Sequence, residues 1–311
     1  MLIPHIPVLL DEVLESFSEV ESGYFVDCTL GYAGHSSAIL ERHPNLKHIG
    51  IDRDQEALDF SRKRLEPFAE RSRLYKGTFA TLLPILTETP ITALLADFGV
   101  SSLQLDKKER GFGFRSERLD MRMDSEATLS AYEVVNQYSY KDLEYLFDHY
   151  GEVRLYKKLA AAIIEERAVQ PIESAKVLSE IALHVLPKKG KMHPATLMFQ
   201  AIRIEVNNEL GEIEGLLDAL EAMHLSDTIV TMITFHSLED RLVKNRFRKW
   251  AQACICDPQV IRCSCGRNNA RGKVLNRKPI TASREELKIN PRSRSAKMRS
   301  FRFKSLSQDT V

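Results

Sequence analysis

A strand, a glycine turn, a helix, a second strand and an acid follow one another near the start of the chain, and this alternation constrains the fold more than any other feature. Residues 24–30 are an apolar run typical of a buried strand, and they lead into a turn at residues 31–36 and a helix-compatible stretch at 37–42. A second apolar run, residues 48–51, ends in Asp52. The pattern is that of one βαβ unit, so it predicts an α/β fold with parallel strands.

The turn and the acid together predict a nucleoside site at the carboxyl edge of the sheet. Backbone without Cβ atoms lets a ligand approach the end of the first strand, and Asp52, which follows Asp27 by 25 positions, can accept hydrogen bonds from ribose hydroxyls. The turn lacks the G-x-G-x-x-G pattern that cradles a dinucleotide pyrophosphate. This departure favours S-adenosylmethionine, which has no phosphate, over NAD. An ordinary βα connection is the alternative interpretation.

Two further strands are predicted at residues 74–79 and 91–96. Because ligands bind outside the carboxyl ends of parallel strands, Phe79 and Asp97 are expected where an adenine ring and a reacting group would lie. The alternatives are that Phe79 belongs to the core and that Asp97 caps a helix.

The alternation then stops, and residues 107–210 show several helical patterns but no convincing parallel strand. We therefore predict two domains, an α/β domain formed by residues 1–106 and 211–311 and a helical insertion formed by residues 107–210. The α/β pattern resumes with a helix and a strand at residues 228–234, which delivers His236 and Asp240 to the same sheet edge. The alternative for these two residues is a cap on the following helix.

Charge is distributed unevenly along the chain. Its net charge is +1, but residues 241–311 contain 19 lysines and arginines against four acids, a net charge of +15. A basic end predicts a polyanionic partner such as RNA, because phosphate contacts release counterions; a solvated surface is the alternative. With neither an apolar run of membrane-spanning length nor a secretory pattern at the start, the sequence predicts a cytoplasmic protein without a membrane partner.

Four of the five cysteines lie close together, at Cys254, Cys256, Cys263 and Cys265. Such clustering in a cytosolic protein indicates thiolate metal ligation before disulfides. The C-x-C spacing is tighter than that of common zinc sites. Both a bound zinc ion and merely local, reduced cysteines are therefore compatible with the sequence.

Many long motifs in this chain resemble, in order, those of the RsmH (MraW) family of ribosomal RNA small-subunit methyltransferases. The resemblance covers nearly the whole chain. It rests on residues 5–14, 31–36, 50–54, 97–102, 104–106, 110–114, 119–124, 193–196, 199–204, 235–241 and 290–296.

The resemblance implies a Rossmann-like class I S-adenosylmethionine-dependent methyltransferase sheet with an inserted all-helical cap. The implied activity is methylation of the N4 amino group of a cytidine in small-subunit ribosomal RNA near the decoding centre. The implied substrate is an assembled or late-assembly subunit. Whether the protein forms a homodimer is left open. The family's cofactor contacts fall on Ala33, Gly34, His35, Asp52, Phe79, Asp97 and Gln104. Ala33 replaces a usual glycine, which we expect to be accommodated at a negative φ, and Leu197 and Met198 replace a usual Arg-Thr.

For catalysis, the sequence leaves Asp97, His236 and Asp240 as candidates. Asp97 and its following loop are expected to organise the site, and His236 and Asp240 are expected to hold the base or the RNA. Two other functions compete: a nicotinamide-dependent oxidoreductase on the same fold, and a basic RNA-binding assembly factor with a vestigial nucleoside site.

Overall fold

A computed structural model of the chain describes residues 6–188, 190, 193–257, 259 and 262–305. His5, the first residue of the first family motif, lies outside the described residues. The chain forms two compact units, one of Met1–Gly99 with Gly211–Val311 and one of Val100–Leu210. No described helix is both long and apolar enough to cross a membrane.

The first unit contains a seven-stranded sheet. Its strands are β1 (Gly23–Asp27), β2 (Leu46–Asp52), β3 (Ser72–Lys76), β4 (Ile91–Asp97), β5 (Ile229–Thr234), β6 (Gly272–Val274) and β7 (Lys297–Phe303). They are arranged in the order β3-β2-β1-β4-β5-β7-β6. The first five strands pair in parallel, whereas β7 is antiparallel to both of its neighbours. The predicted Rossmann-like α/β sheet is confirmed.

Thirteen α-helices are formed by the described residues. They are α1 (Leu10–Ser16), α2 (Gly34–Arg42), α3 (Gln55–Arg64), α4 (Phe79–Leu82), α5 (Ser102–Asp106), α6 (Ala131–Gln137), α7 (Tyr140–His149), α8 (Tyr156–Val169), α9 (Ala175–Val185), α10 (Thr196–Asn207), α11 (Glu209–Ala222), α12 (Ser237–Trp250) and α13 (Arg284–Ile289).

The sheet is buried on both faces, as parallel sheets are. Successive side chains of a strand point to opposite faces, so Phe25 of β1 packs with Val13 and Phe17 beside α1, while the adjacent Val26 belongs to the core on the other face. That other core includes Leu216 of α11 and Phe247 of α12. The apolar runs recognised in the sequence are therefore two-sided core strands.

The second unit is helical, and none of its described residues forms a strand. Helices α6 to α10 enclose one apolar core, which includes Leu146, Phe147, Ile163 and Phe199. Helix α7 begins with a reciprocal capping box: the Asp142 N–H donates to the Ser139 hydroxyl and the Ser139 N–H donates to the Asp142 carboxylate, each over 3.2 Å.

The structure differs from the sequence-based expectation at the third strand and at residues 195–210, and it contains one strand that was not expected. The third strand ends at Lys76, and Phe79 begins the short helix α4, whose N-cap is Thr78. The helical stretch expected at residues 195–210 ends at Asn208, which adopts a left-handed conformation with φ 48°. The short edge strand β6 was not predicted, because a three-residue strand gives no periodic pattern.

Candidate cofactor site at the carboxyl edge of the sheet

The order of the strands creates a switch point at β1, from which the chain proceeds to β2 on one side and β4 on the other. Ligands of open α/β sheets bind outside the strand ends at such a point. All three strands end in an aspartate: Asp27, Asp52 and Asp97. The sheet thus gathers three carboxyl groups at one edge.

The turn between β1 and α2 has a left-handed backbone at two residues, Gly31 with φ 51° and Ala33 with φ 54°. The expectation that Ala33 has a negative φ is therefore wrong. Gly34 is glycine for a packing reason, since a Cβ atom there would lie 2.5 Å from Cγ of Pro7. The turn ends at Ala33, the N-cap of α2, so the first backbone N–H groups of that helix face the sheet edge.

Asp52 fixes this turn to the end of β2. One carboxylate oxygen accepts a hydrogen bond from the Gly31 backbone N–H over 2.7 Å, and the other accepts one from the Asp54 N–H over 2.8 Å. Each oxygen keeps a second lone pair, which a ribose hydroxyl could use. Burial raises the pKa of Asp52 to about 6, although both backbone hydrogen bonds act in the opposite direction.

Behind the turn lies a buried series of hydrogen-bonded side chains that the sequence did not reveal. Ser36 donates to Asp27 over 2.6 Å, and its oxygen lies 3.0 Å from Nε2 of His48, whose Nδ1 lies 2.7 Å from the Ser72 hydroxyl. Because the Ser36 proton is used by Asp27, His48 must donate from Nε2 and accept at Nδ1. Burial lowers the pKa of His48 to about 3, so this ring stays neutral, and burial raises the pKa of Asp27 to about 6.

Asp97 has one carboxylate oxygen, Oδ1, that is buried and has no hydrogen-bond partner among the described residues. Its other oxygen lies 3.9 Å from Nδ1 of His35. Nε2 of His35 lies 2.9 Å from the Val8 carbonyl, which can only accept, so that nitrogen carries a proton. Burial, reinforced by the nearby charges of Asp27 and Glu239, raises the pKa of Asp97 well above its usual value.

The other predicted cofactor residues occupy different surroundings. Phe79 is buried, and its ring lies 5.9 Å from that of Phe98 between centroids, so it contributes to the core as well as to the sheet edge. Gln104 lies in α5 of the second unit, where its side-chain oxygen accepts from the Ser101 N–H over 3.0 Å. Its role toward the cofactor stays a prediction.

His236 follows β5 at the same edge and is the N-cap residue of α12. Its side chain is only 8% exposed, and neither ring nitrogen has a hydrogen-bond partner among the described residues, although Nε2 lies 3.1 Å from Oε1 of Glu239. Glu239 was missed in the sequence. It is fully buried and accepts hydrogen bonds from the backbone N–H groups of Phe235 and His236 over 2.7 and 3.2 Å, so it caps α12 from the third helical position.

Asp240 lies one turn further into α12 and forms an ion pair. Nε of Arg299 on β7 donates to its carboxylate over 2.6 Å, and Nζ of Lys297 lies 3.7 Å away. Burial alone would raise the pKa of Asp240, but the hydrogen bond and charge of Arg299 outweigh it and hold that pKa below its usual value. The structure therefore gives Asp240 an ion pair between α12 and β7, and its predicted role toward the substrate stays a prediction.

The electrostatics of this edge favour a cationic ligand. Asp27, Asp52 and Asp97 all have raised pKa values because their negative charges are poorly solvated. A ligand that carries positive charge and hydroxyl donors would stabilise the ionised carboxylates and give a donor to Oδ1 of Asp97, which has none among the described residues. S-adenosylmethionine, with its sulfonium, ammonium and ribose hydroxyls, matches this donor and acceptor set.

Known proteins are similar to this one over almost the whole chain. The sequence profile of the MraW methylase family matches residues 2–304. The chain belongs to the MraW methylase family. A protein from Sulfurovum sp. (strain NBC37-1), named ribosomal RNA small subunit methyltransferase H, is 75% identical over 305 residues, 98% of this chain and 99% of that protein. Proteins with the same name from Sulfurimonas denitrificans and Wolinella succinogenes are 54% and 55% identical, and each alignment covers 97% of this chain and 99% of the relative.

As a member of this methylase family, the chain is an S-adenosylmethionine-dependent methyltransferase, and the predicted cofactor is confirmed. A nicotinamide-dependent oxidoreductase and a non-enzymatic assembly factor are both excluded as its primary function. In this MraW methylase, Asp27, Asp52 and Asp97 at the sheet edge are the carboxyl groups available to the hydroxyl and ammonium donors of that cofactor.

Proposed function

We propose that this MraW methylase transfers a methyl group to the N4 amino nitrogen of a cytidine in small-subunit ribosomal RNA, near the decoding centre. The observation that carries the proposal is the match, over 98% of the chain, to a relative named for methylating small-subunit ribosomal RNA. The gathering of Asp27, Asp52 and Asp97 at one sheet edge is independent support for the cofactor half of the reaction.

The cofactor contacts in this proposal are Ala33, Gly34, His35, Asp52, Phe79, Asp97 and Gln104. Asp52 would accept the ribose hydroxyls with the lone pairs that Gly31 and Asp54 leave unused. Asp97 would accept a donor of the cofactor at Oδ1, which has no partner in the described part of the chain. Asp97 would thereby organise the site by orienting the methyl donor.

When bound, S-adenosylmethionine supplies an activated methyl carbon for an in-line displacement. The protein's task is then to hold the N4 nitrogen in line and to accept one of its hydrogens, because the N4 lone pair is delocalised into the ring. His236 is at the neighbouring strand end, and its Nδ1 has no hydrogen-bond partner among the described residues, whereas its Nε2 lies 3.1 Å from Oε1 of Glu239. We assign it the role of holding the amino group of the base. Asp240 contributes by fixing the start of α12.

The substrate half of the proposal rests on charge and accessibility. The basic residues 241–311 would bind RNA phosphates, and the target base must be unstacked to reach the cofactor. Residues 107–210 are assigned to substrate recognition as a cap. The proposed substrate is an assembled or late-assembly small subunit in the cytoplasm, and a homodimer is a prediction that sedimentation would test.

Nucleoside mass spectrometry tests the proposed reaction. Purified small subunits from cells that lack the enzyme would be incubated with it and S-adenosylmethionine, digested, and analysed for methylated cytidines. We expect a new N4-methylcytidine and a smaller yield on naked RNA. Methylation at another atom or on another RNA would contradict the proposal.

A variant of His236 distinguishes a role in binding the base from a role in binding the cofactor. We expect His236→Ala to leave cofactor affinity nearly unchanged while turnover falls on the order of 100-fold, as for a reacting atom displaced by about 1 Å. The matched control is His224→Ala, because His224 is an exposed histidine beyond the end of α11. Normal turnover in His236→Ala, together with a lower melting temperature, would leave His236 as a helix cap only.

A further inference from the structure

The segment between α12 and β6, residues 251–271, carries the four clustered cysteines, and it lies far from the proposed catalytic groups of the first unit. Helix α12 starts at the carboxyl end of β5 and ends at Trp250, and the Trp250 carbonyl accepts from the Arg271 N–H over 2.7 Å. The Arg271 carbonyl in turn accepts from Lys304, just after β7. The cysteine segment is therefore at the sheet edge where β5 begins, opposite the edge with Asp97.

The four sulfur atoms lie at the corners of a compact tetrahedron. Sγ of Cys263 is 3.6 Å from Sγ of Cys254, 3.9 Å from that of Cys256 and 3.6 Å from that of Cys265, and Cys265 is 3.6 Å from Cys254. All four sulfurs are within 4.8 Å of one another. For a Zn–S bond of about 2.3 Å, tetrahedral geometry requires sulfur separations of about 3.8 Å.

The backbone around the cluster matches a thiolate site. The Ile255 N–H donates to Sγ of Cys265, and the Ser264 N–H donates to Sγ of Cys256, each over 3.4 Å. Each C-x-C turn thus donates to a sulfur of the other turn. Such hydrogen bonds stabilise thiolate charge and orient metal ligands. The Asn269 side chain closes the segment by donating to the carbonyls of Ala253 and Cys265.

Packing contributes little to the cluster. The side chains of the cysteines are partly exposed, Ile255 is 63% exposed, and the sulfur separations are well beyond the length of a disulfide bond, about 2.05 Å. Four thiols held this close without a shared ligand would gain little from packing. Four thiolates around a dication carry a net negative charge, and the surrounding residues 241–311 are strongly basic.

We propose that Cys254, Cys256, Cys263 and Cys265 bind one Zn²⁺ ion as a structural tetrathiolate site. All four positions of the ion are taken by sulfur, so it has no open position for catalysis. Its role is to fold the cysteine segment onto the aromatic core below it, where Trp250 stacks with Phe247 and contacts Phe301.

Metal analysis of the full-length protein tests the assignment directly. Protein purified with reductant and without chelator or added metal is expected to contain one zinc per chain by inductively coupled plasma mass spectrometry. Replacement by Co²⁺ should give the intense visible bands of tetrahedral thiolate-bound cobalt. The double variant Cys256→Ser/Cys263→Ser should lose both signals, whereas Cys28→Ala, which changes the remote buried cysteine, should keep them.

Limited digestion with trypsin gives a second readout that is independent of activity and of the variants' folding. Arg262 and Arg267 lie on the exposed surface of the segment. We expect chelation of the wild-type protein to make cleavage at these two arginines much faster, and zinc to reverse the effect. Absence of stoichiometric zinc with four freely reactive thiols, a disulfide-linked cluster, or iron in place of zinc would each overturn the proposal.

Discussion

Ala33 lies in a strained, left-handed backbone conformation in the turn between β1 and α2. Alanine in a glycine position reads as a mild change if φ is negative, but the structure places it at φ 54°, a conformation that costs a non-glycine residue about 1–2 kcal/mol. The amino-acid sequence alone does not give the sign of φ at Ala33. The strain belongs to the turn that places the N-terminus of α2 at the cofactor edge.

A glycine at this position gives a measurable prediction. Ala33→Gly relieves the left-handed strain, but it removes a fully buried methyl group, worth about 0.8 kcal/mol, and adds unfolded-chain entropy of about 0.5–1 kcal/mol. We therefore expect a change of less than about 0.5 kcal/mol in the free energy of unfolding, measured with urea. Ala38→Gly in the same helix is the control and should cost about 1 kcal/mol. Equal losses in both variants would contradict the strained turn.

Sequence reasoning at the residue scale found the acids at the strand ends but not what they contact. Asp52 and Asp97 could be placed because strand ends are visible as the limits of apolar runs. The hydrogen bonds that continue from Asp27 through Ser36 could not, because His48 and Ser72 lie on other strands and meet Ser36 only after the sheet forms. Glu239 carried a usable signal, since it stands three residues after the N-cap of α12.

At the scale of elements, periodicity identified β1, β2, β4 and β5 to within a few residues, because buried strands are long apolar runs. It failed where tertiary context decides. A helix-compatible sequence is divided at Asn208 by one left-handed residue, and β6 exists only because β7 offers it a partner. The site itself spans several elements, so its contacts could not be inferred without knowing the order of the strands in the sheet.

Asp240 and Arg299 join two of these elements, α12 and β7, and their side chains are only 13% and 8% exposed. Removing one charge of a buried pair leaves the other unpaired, so we expect Asp240→Asn to lower the free energy of unfolding by about 3 kcal/mol. The control is Asp227→Asn, which breaks the exposed pair between Asp227 and Arg302 on the same strand and should cost less than about 1 kcal/mol.

The pH dependence of this pair has a definite sign. Because the pKa of Asp240 is lowered in the folded protein, its contribution to stability is present above the unfolded pKa of about 3.9 and is lost as the pH falls through the folded value. The stability gap between wild type and Asp240→Asn should therefore be constant from neutral pH to about pH 5 and shrink only in more acidic solution. A gap that changes around neutral pH would contradict the ion pair.

At the scale of the whole molecule, the basic end of the chain predicts how the enzyme binds RNA. Arg292 and Arg294 are exposed, and changing both to Gln should weaken binding to small-subunit RNA and reduce the slope of log affinity against log salt by up to about 2. The control is Arg62→Gln/Lys63→Gln, which removes two exposed charges from α3. The same slope for wild type and Arg292→Gln/Arg294→Gln in a filter-binding titration would show that this surface is only solvated.

Calorimetric titration with S-adenosylmethionine tests most directly the claim that the carboxyl edge of the sheet holds the cofactor. Asp52→Ala should weaken binding by about 1.5–3 kcal/mol, the cost of losing hydrogen bonds to a charged group, and Asp97→Asn should also bind more weakly. Asp59→Ala, which removes an exposed acid of α3 close by in the sequence, should bind like wild type. Wild-type affinity in a folded Asp52→Ala protein would contradict the account and place the cofactor elsewhere.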